Sequence, residues 1–234
     1  MCNEYQKRIA RGPLTERFSE INIPIRWADA EPNRDLDEPI RPTDRATILR
    51  AADPGDPTAG LEGLEMRWWL TPAFHRGPLN AWRSMCTNAR IETVDTAPTF
   101  REAYRRRRCL VPLTSFIEYS EPPGWKKGRP KTRHEISWAD EDVRVFAGLW
   151  ERSTPEDHPG GLESFAFVTA PAPADIAPFH DRAPPTLSLA QGLAWLDLEG
   201  PGKGMLEDLP GPGAYQVVEA PRDQLMTPEM RRLL

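Results

Sequence analysis

Cys109-Leu110-Val111-Pro112-Leu113-Thr114-Ser115-Phe116-Ile117-Glu118-Tyr119 is the stretch whose reading decides the fold. Its β-branched and aromatic residues predict a strand over Cys109–Tyr119, with a proline near its start. Upstream, Thr99 is placed to cap a helix over Phe100–Arg108, with Glu102 at the third helical position as in a capping box. Downstream, His134–Trp138 and Val143–Trp150 flank the polar Ala139-Asp140-Glu141-Asp142, which predicts a hairpin. Further strands are expected over Ile21–Ile25, Glu65–Leu70, Ser164–Ala170 and Tyr215–Glu219, and helices over Ala174–Phe179 and Leu187–Leu196. Residues 28–63, rich in Asp, Glu, Pro and Gly, read as an acidic, loop-rich segment. Strands and helices are mixed without regular alternation. The expected fold class is therefore α+β with a mainly antiparallel sheet, without a domain boundary between residues 1 and 234.

Composition narrows the function classes. The 234 residues include 26 prolines and 16 glycines, about 18% of the chain against roughly 12% in an average domain. Such a chain is expected to have short elements and many turns, not a helical bundle or coiled coil. No apolar run reaches the ~18 residues of a membrane helix, and Met1-Cys2-Asn3-Glu4 is no signal peptide, so a cytoplasmic location is expected. Three cysteines at long spacings, Cys2, Cys86 and Cys109, make neither a disulfide framework nor a metal motif; no cofactor and no metal are expected.

The net charge of −5 argues against holding nucleic acid by bulk attraction. Yet between Arg67 and Arg133 there are 14 basic residues and 5 acids, a local +9 that leaves −14 for the remainder. Trp68, Trp69, Trp82, Phe116, Tyr119 and Trp125 lie within that segment. Cations with interleaved rings suit a single nucleic-acid strand. The structural alternative is a solvated helix face at Arg105–Arg108 with the aromatics in the core.

Four separated pieces stand out: Cys2; Asn88-Ala89-Arg90 followed by Glu92-Thr93; Phe116-Ile117-Glu118-Tyr119; and Phe179-His180-Asp181-Arg182-Ala183-Pro184. With Ile40-Arg41-Pro42-Thr43, Arg67-Trp68-Trp69-Leu70-Thr71-Pro72, Arg108-Cys109-Leu110-Val111-Pro112, Ala147-Gly148-Leu149-Trp150 and Phe167-Val168-Thr169, this order resembles the SRAP family, the SOS response-associated peptidase-like proteins. The resemblance runs from Met1 to about Leu198. It implies one SRAP-like domain over 1–234, with a barrel-like β core, short flanking helices, and 200–234 as its C-terminal extension.

The resemblance also implies a function, the covalent capture of abasic sites in single-stranded DNA, performed by a monomer that joins the nucleoid on damage. The residues make that chemistry intelligible. Once Met1 is removed, Cys2 offers an α-amine and a thiol on adjacent carbons. The amine condenses with the aldehyde of an opened abasic sugar, and the thiol closes a thiazolidine, an intramolecular step with a large effective concentration. An α-amine is roughly 10–15% neutral at pH 7, and an ordinary thiol needs little help to supply thiolate. By resemblance, Glu118 shuttles protons and serves self-removal of Met1. His180 exchanges a proton with the opened sugar. Asn88 positions the amine or the sugar, Arg67, Arg90 and Arg182 hold phosphates, and Trp68 stacks on a base. The other histidines, His75, His134 and His158, are expected to be structural.

The chain departs from the family pattern near the expected DNA face. The usual opening Met-Cys-Gly-Arg is here Met1-Cys2-Asn3-Glu4, Trp69 replaces a glycine, Tyr119 stands where a Trp is common, and Ala183 replaces a Met. Two other readings stay open: a thiol peptidase or autopeptidase using Cys2, and a non-covalent single-stranded-DNA-binding module.

Overall fold

The computed structural model describes residues 2–32, 34–140, 143–207 and 210–220. In chain order the strands are β1 Tyr5–Gln6, β2 Ile25–Trp27, β3 Arg45–Asp53, β4 Asp56–Trp68, β5 Asn88–Arg90, β6 Arg108–Leu113, β7 Ser115–Ser120, β8 Thr132–Trp138, β9 Arg144–Ser153, β10 Leu162–Pro171, β11 Arg182–Ala183, β12 Thr186–Leu187 and β13 Tyr215–Glu219. The α-helices are α1 Arg11–Ser19, α2 Arg101–Arg106 and α3 Leu189–Leu196. The class is α+β, as expected.

β10, β4, β3, β6 and β9 pair in succession, and β9 pairs again with β10, giving a ring-like sheet. Its joints are thin: β3 meets β6 only at Leu49↔Leu110, and β10 meets β4 in parallel at Ser164↔Arg67 and Phe165↔Trp68. A second sheet runs β1-β7-β8-β13. Between the sheets lies an aromatic core containing Tyr5, Trp68, Phe116, Phe146, Phe165 and Phe167. A second core on the other side of the ring packs Leu110, Val145 and Ala147 against Trp195 of α3.

The decisive stretch is two strands, not one. Thr114 is the corner: its N–H donates to Gln6 O at 2.9 Å, and its hydroxyl accepts from the Arg8 N–H at 3.1 Å. β6 therefore stays in the ring while β7 turns into the second sheet. The same division corrects the expected hairpin. β8 pairs with β7 and β13, and β9 with β6, β10 and β12, so the strands around 139–142 never pair with each other. Glu141 and Asp142 lie outside the described residues.

Residues 28–63 are also corrected. They hold β3 and most of β4, and β3 and β4 form the longest antiparallel pairing. The polar residues belong to outward faces and to the turn, where Asp53 Oδ1 accepts the Gly55 N–H at 3.0 Å. The inward set, Ala46, Ile48, Leu64 and Met66, is buried. Residues 174–179 form turns, not a helix, and the predicted strand at 21–25 begins only at Ile25. α2 is short and Phe100 precedes it without a side-chain cap. The capping box sits instead on α3, between Ser188 and Gln191. Of the expected extension at 200–234, β13 is exactly where the sequence places it, and residues 208, 209 and 221–234 lie outside the described set.

Two buried polar side chains brace the ring. Trp195 Nε1 donates to Cys109 O and Gly148 O at 3.2 and 3.1 Å. Arg108 donates to the carbonyls of Tyr104, Trp195 and Asp197, so it is structural, not part of a solvated face. Gly148 is required by close approach: a Cβ there would meet Cys109 Sγ at 2.8 Å.

Candidate functional site

The site forms where the two sheets meet. β1 runs beside β7, and Ile117 N–H donates to Glu4 O at 2.9 Å, which draws the N-terminal segment alongside Glu118. Cys2 is fully buried, with its Sγ 3.5 Å from Glu4 O. β5 approaches from the other sheet in parallel register with β10, Phe167 opposite Asn88. Asn88 Nδ2 donates to Cys2 O at 3.0 Å and to Thr87 Oγ1 at 3.0 Å. Its Oδ1 is buried and has no partner among the described residues. The turn after residue 173 delivers His180, whose Nε2 stands 4.0 Å from Glu118 Oε2.

The folded chain thus brings Cys2, Asn88, Glu118 and His180 together from four distant segments. Burial pushes Glu118 up to about 7. The Arg182 N–H donates to His180 Nδ1 at 3.0 Å, so the neutral ring carries its proton on Nε2, facing Glu118. The exposed Asp181 carboxylate, 3.0 Å from Nδ1, favours the protonated ring, but burial outweighs it and lowers the pKa. The Cys2 thiol is pushed far upward by burial, reinforced by the Glu118 charge. This overturns the expectation that the thiol ionises with little help: in a dry pocket beside a carboxylate, its proton needs an acceptor.

The expected DNA contacts fare unevenly. Arg90 is exposed and carries no ion pair among the described residues. Arg182 is tied to Glu92 by two bonds of 2.8 and 2.9 Å and to Thr169 O at 2.7 Å. Arg67 is half-buried, donates to Trp69 O at 3.0 Å and lies 5.9 Å over the Trp69 ring. Trp68 is corrected: it is fully buried against Tyr5 and Phe167, and its Nε1 donates to Thr87 O, so no face is open to a base. Trp69 takes the unusual φ of 147°, where a glycine would be unstrained.

Three features escaped the sequence reading. Phe74, 56% exposed, presents an aromatic face in the loop between β4 and β5. Glu4 is not an exposed acid on the DNA side. It is buried, and its carboxylate meets Arg133 at 2.6 Å, Arg41 at 3.4 Å and the Tyr119 hydroxyl at 3.2 Å. Two departures from the family pattern, Glu4 and Tyr119, therefore touch each other, and only their joint occurrence could have signalled it. Finally, His134 packs its ring 4.4 Å from that of Phe179 and bonds Ser120 Oγ at 2.7 Å, steadying the residue before His180.

Among the described residues, no group of three or more His, Cys, Asp and Glu side chains is arranged to hold a metal ion, and no helix is long and apolar enough to cross a membrane.

Comparison with known proteins gives the family and the fold. The family model described as SOS response associated peptidase (SRAP) matches residues 1–220. The Abasic site processing protein YoqW of Bacillus subtilis is 30% identical over 178 residues, covering 71% of this chain and 74% of that one. The Abasic site processing protein YedK of Escherichia coli is 30% identical over 142 residues, covering 60% of this chain and 55% of that one. A crystal structure of a Bacteroides thetaiotaomicron protein shares the fold with a TM-score of 0.77 at 20% identity, covering 98% and 96% of the two chains. The sheets that carry Asn88 and Glu118 to the N-terminal cysteine are thus those of a known fold, and the chain belongs to the SOS response associated peptidase family.

Proposed function

We propose that this chain processes abasic sites in single-stranded DNA, capturing the sugar covalently through Cys2 after Met1 has been removed. The observation that carries the reading is the convergence of Asn88, Glu118 and His180 on Cys2. The Cys2 α-amine attacks the sugar aldehyde and water leaves, giving an imine. The thiol then adds to the imine carbon, its proton ends on the ring nitrogen, and a thiazolidine results.

Asn88 fixes the Cys2 main chain, and its unpartnered Oδ1 is an acceptor for an amine or sugar hydroxyl proton. Glu118, titrating near neutrality, gives a proton to the departing water and takes one from the buried thiol. His180, with Nε2–H toward Glu118, passes protons to and from the opened sugar. Phe74 takes over the stacking role expected of Trp68, and Arg90 holds a flanking phosphate. Arg182 reaches a phosphate only by leaving Glu92, so its first role here is to position the His180 turn. The protein works as a monomer.

The test is incubation with a single-stranded oligonucleotide carrying one abasic site. A species shifted on a denaturing gel is expected with wild type and absent with Cys2→Ala. No shifted species with wild type, or one retained by Cys2→Ala, overturns the reading. Removal of Met1 is assigned to Glu118; intact mass is expected to show loss of Met1 in wild type and its retention in Glu118→Gln.

A further inference from the structure

The 14 basic residues between Arg67 and Arg133 are not equivalent once the chain is folded. Many are engaged within the protein: Arg107 with Glu151, Arg108 with main-chain carbonyls, Arg133 with Glu4. Lys126, Lys127 and Arg129 are different. All three are exposed, and among the described residues none of their side chains has an ion pair or hydrogen bond. They crowd the tip of the connection between β7 and β8, where Glu121 is the sole acid and is itself paired with Lys131 at 2.9 Å.

That tip is shaped by its own bonds. Trp125 N–H donates to Pro122 O at 2.9 Å, Arg129 N–H to Lys126 O at 3.0 Å, and Trp125 Nε1 to Arg129 O at 2.8 Å. Lys131 Nζ lies 5.1 Å over the Trp125 ring. Gly124 and Gly128 take φ of 74° and 92°, which permits both bends. The three cations are therefore displayed on a formed arm.

We propose that this arm docks the phosphate backbone of the nucleic-acid strand flanking the captured nucleotide; the identity of that strand rests on the abasic-site reading. β7 carries Glu118 and leads directly into the arm. At about 3.3 Å per residue, the arm's cations lie within roughly 25–35 Å of Glu118. Phosphates follow at about 3.4 Å along each duplex strand, so the contacts fall within about ten nucleotides on one flank. A membrane surface fits less well. Trp125, the tip's large apolar side chain, is fastened to Arg129 O instead of projecting as an anchor.

The experiment measures binding of a fluorescent single strand without an abasic site, so that no covalent step intervenes, between 50 and 200 mM salt (about the range over which counterion release is read). For Lys126→Ala/Lys127→Ala/Arg129→Ala, the slope of log K against log salt should flatten by about 2, from three contacts at about 0.7 each, with affinity lower by about tenfold or more at low salt. Arg101→Ala/Arg105→Ala/Arg106→Ala, which removes equal charge from α2, should leave the slope unchanged. An unchanged slope in the arm variant, equal flattening in both variants, or a wild-type chain that binds no strand overturns the proposal. So does a defect confined to anionic vesicles. The adduct assay reads the Cys2 chemistry separately: its failure with the slope difference intact removes the capture reading and leaves the arm.

Discussion

His180 Nε2 stands 4.0 Å from Glu118 Oε2, and the two groups reach that distance from the turn before β11 and from β7, with opposite displacements of their affinity for protons. Burial disfavours charge on both. It raises the carboxyl to about 7 and lowers the imidazole, so near neutrality Glu118 is divided between its two protonation states beside a ring that burial keeps from charging.

The first prediction is a pH dependence of stability. Glu118 titrates near 7 in the folded protein against an ordinary value of 4.5. The folded state then binds the proton more tightly, so its contribution is present below pH 4.5 and is lost as pH rises through about 7. Urea denaturation should show wild type losing up to about 3 kcal/mol across that interval. Glu118→Gln should show a flatter profile and higher stability at pH 8. A wild-type profile that rises over the same range contradicts the assignment.

The second concerns His134. Removing its ring frees Phe179 while touching none of the reacting groups. His134→Ala should slow adduct formation by about tenfold, against about 10²-fold or more for His180→Ala. Because the role is one of position, the pH profile of the residual rate should broaden or shift in His134→Ala, and His134→Phe should recover most of the rate. A rate equal to wild type in His134→Ala removes this role.

The third concerns the carboxylate two residues after Cys2. Glu4→Ala leaves the Arg133 guanidinium, 13% exposed, without its counter-ion and should cost about 2–4 kcal/mol in urea denaturation. Restoring the family's arginine by Glu4→Arg should be worse, since three cations then meet. Glu4→Arg combined with Arg133→Glu should recover at least half of that loss. If the double variant is no better than the single one, the pairing is not the controlling contact.

The fourth concerns packing. Trp68→Ala should cost about 3–5 kcal/mol, as for other large core truncations, whatever the ligand. Gly148→Ala should cost about 1–3 kcal/mol through the clash with Cys109 Sγ. Cys109→Ala in the same chain should return part of it, because the backbone oxygen at 3.2 Å remains in the way.

Much of this was legible in the sequence, for physical reasons that differ by element. β13 and β10 were read correctly because short runs of β-branched, aromatic and small apolar residues stand between clear turn signals, and β10, buried along nearly its whole length, is apolar on both faces. Cys2, Asn88, Glu118 and His180 were singled out through spaced motifs, and the fold brings the four side chains together. The break at Thr114 was not legible, since the bonds that turn the strand come from Gln6 and Arg8, over a hundred residues away. The β3–β4 hairpin was hidden because one of its faces is charged, and charge was read as loop. Trp68 was misassigned because an indole has the same letter in a core and on a surface. Burial of the Cys2 thiol was invisible for the same reason: desolvation belongs to the neighbours, not to the residue.

The corner at Thr114 places Glu118 on the smaller sheet, while Asn88 is carried by β5 on the ring. The two side chains belong to units of unequal extent, a 4-stranded and a 9-stranded sheet, and the smaller one has fewer strands to hold it. Partial opening of that sheet would separate Glu118 from Asn88 while the ring stays folded. On gradual heating, capacity to form the adduct should disappear several degrees before the main calorimetric transition and return on cooling, a reversible thermal switch-off written into the place where one strand changes sheets.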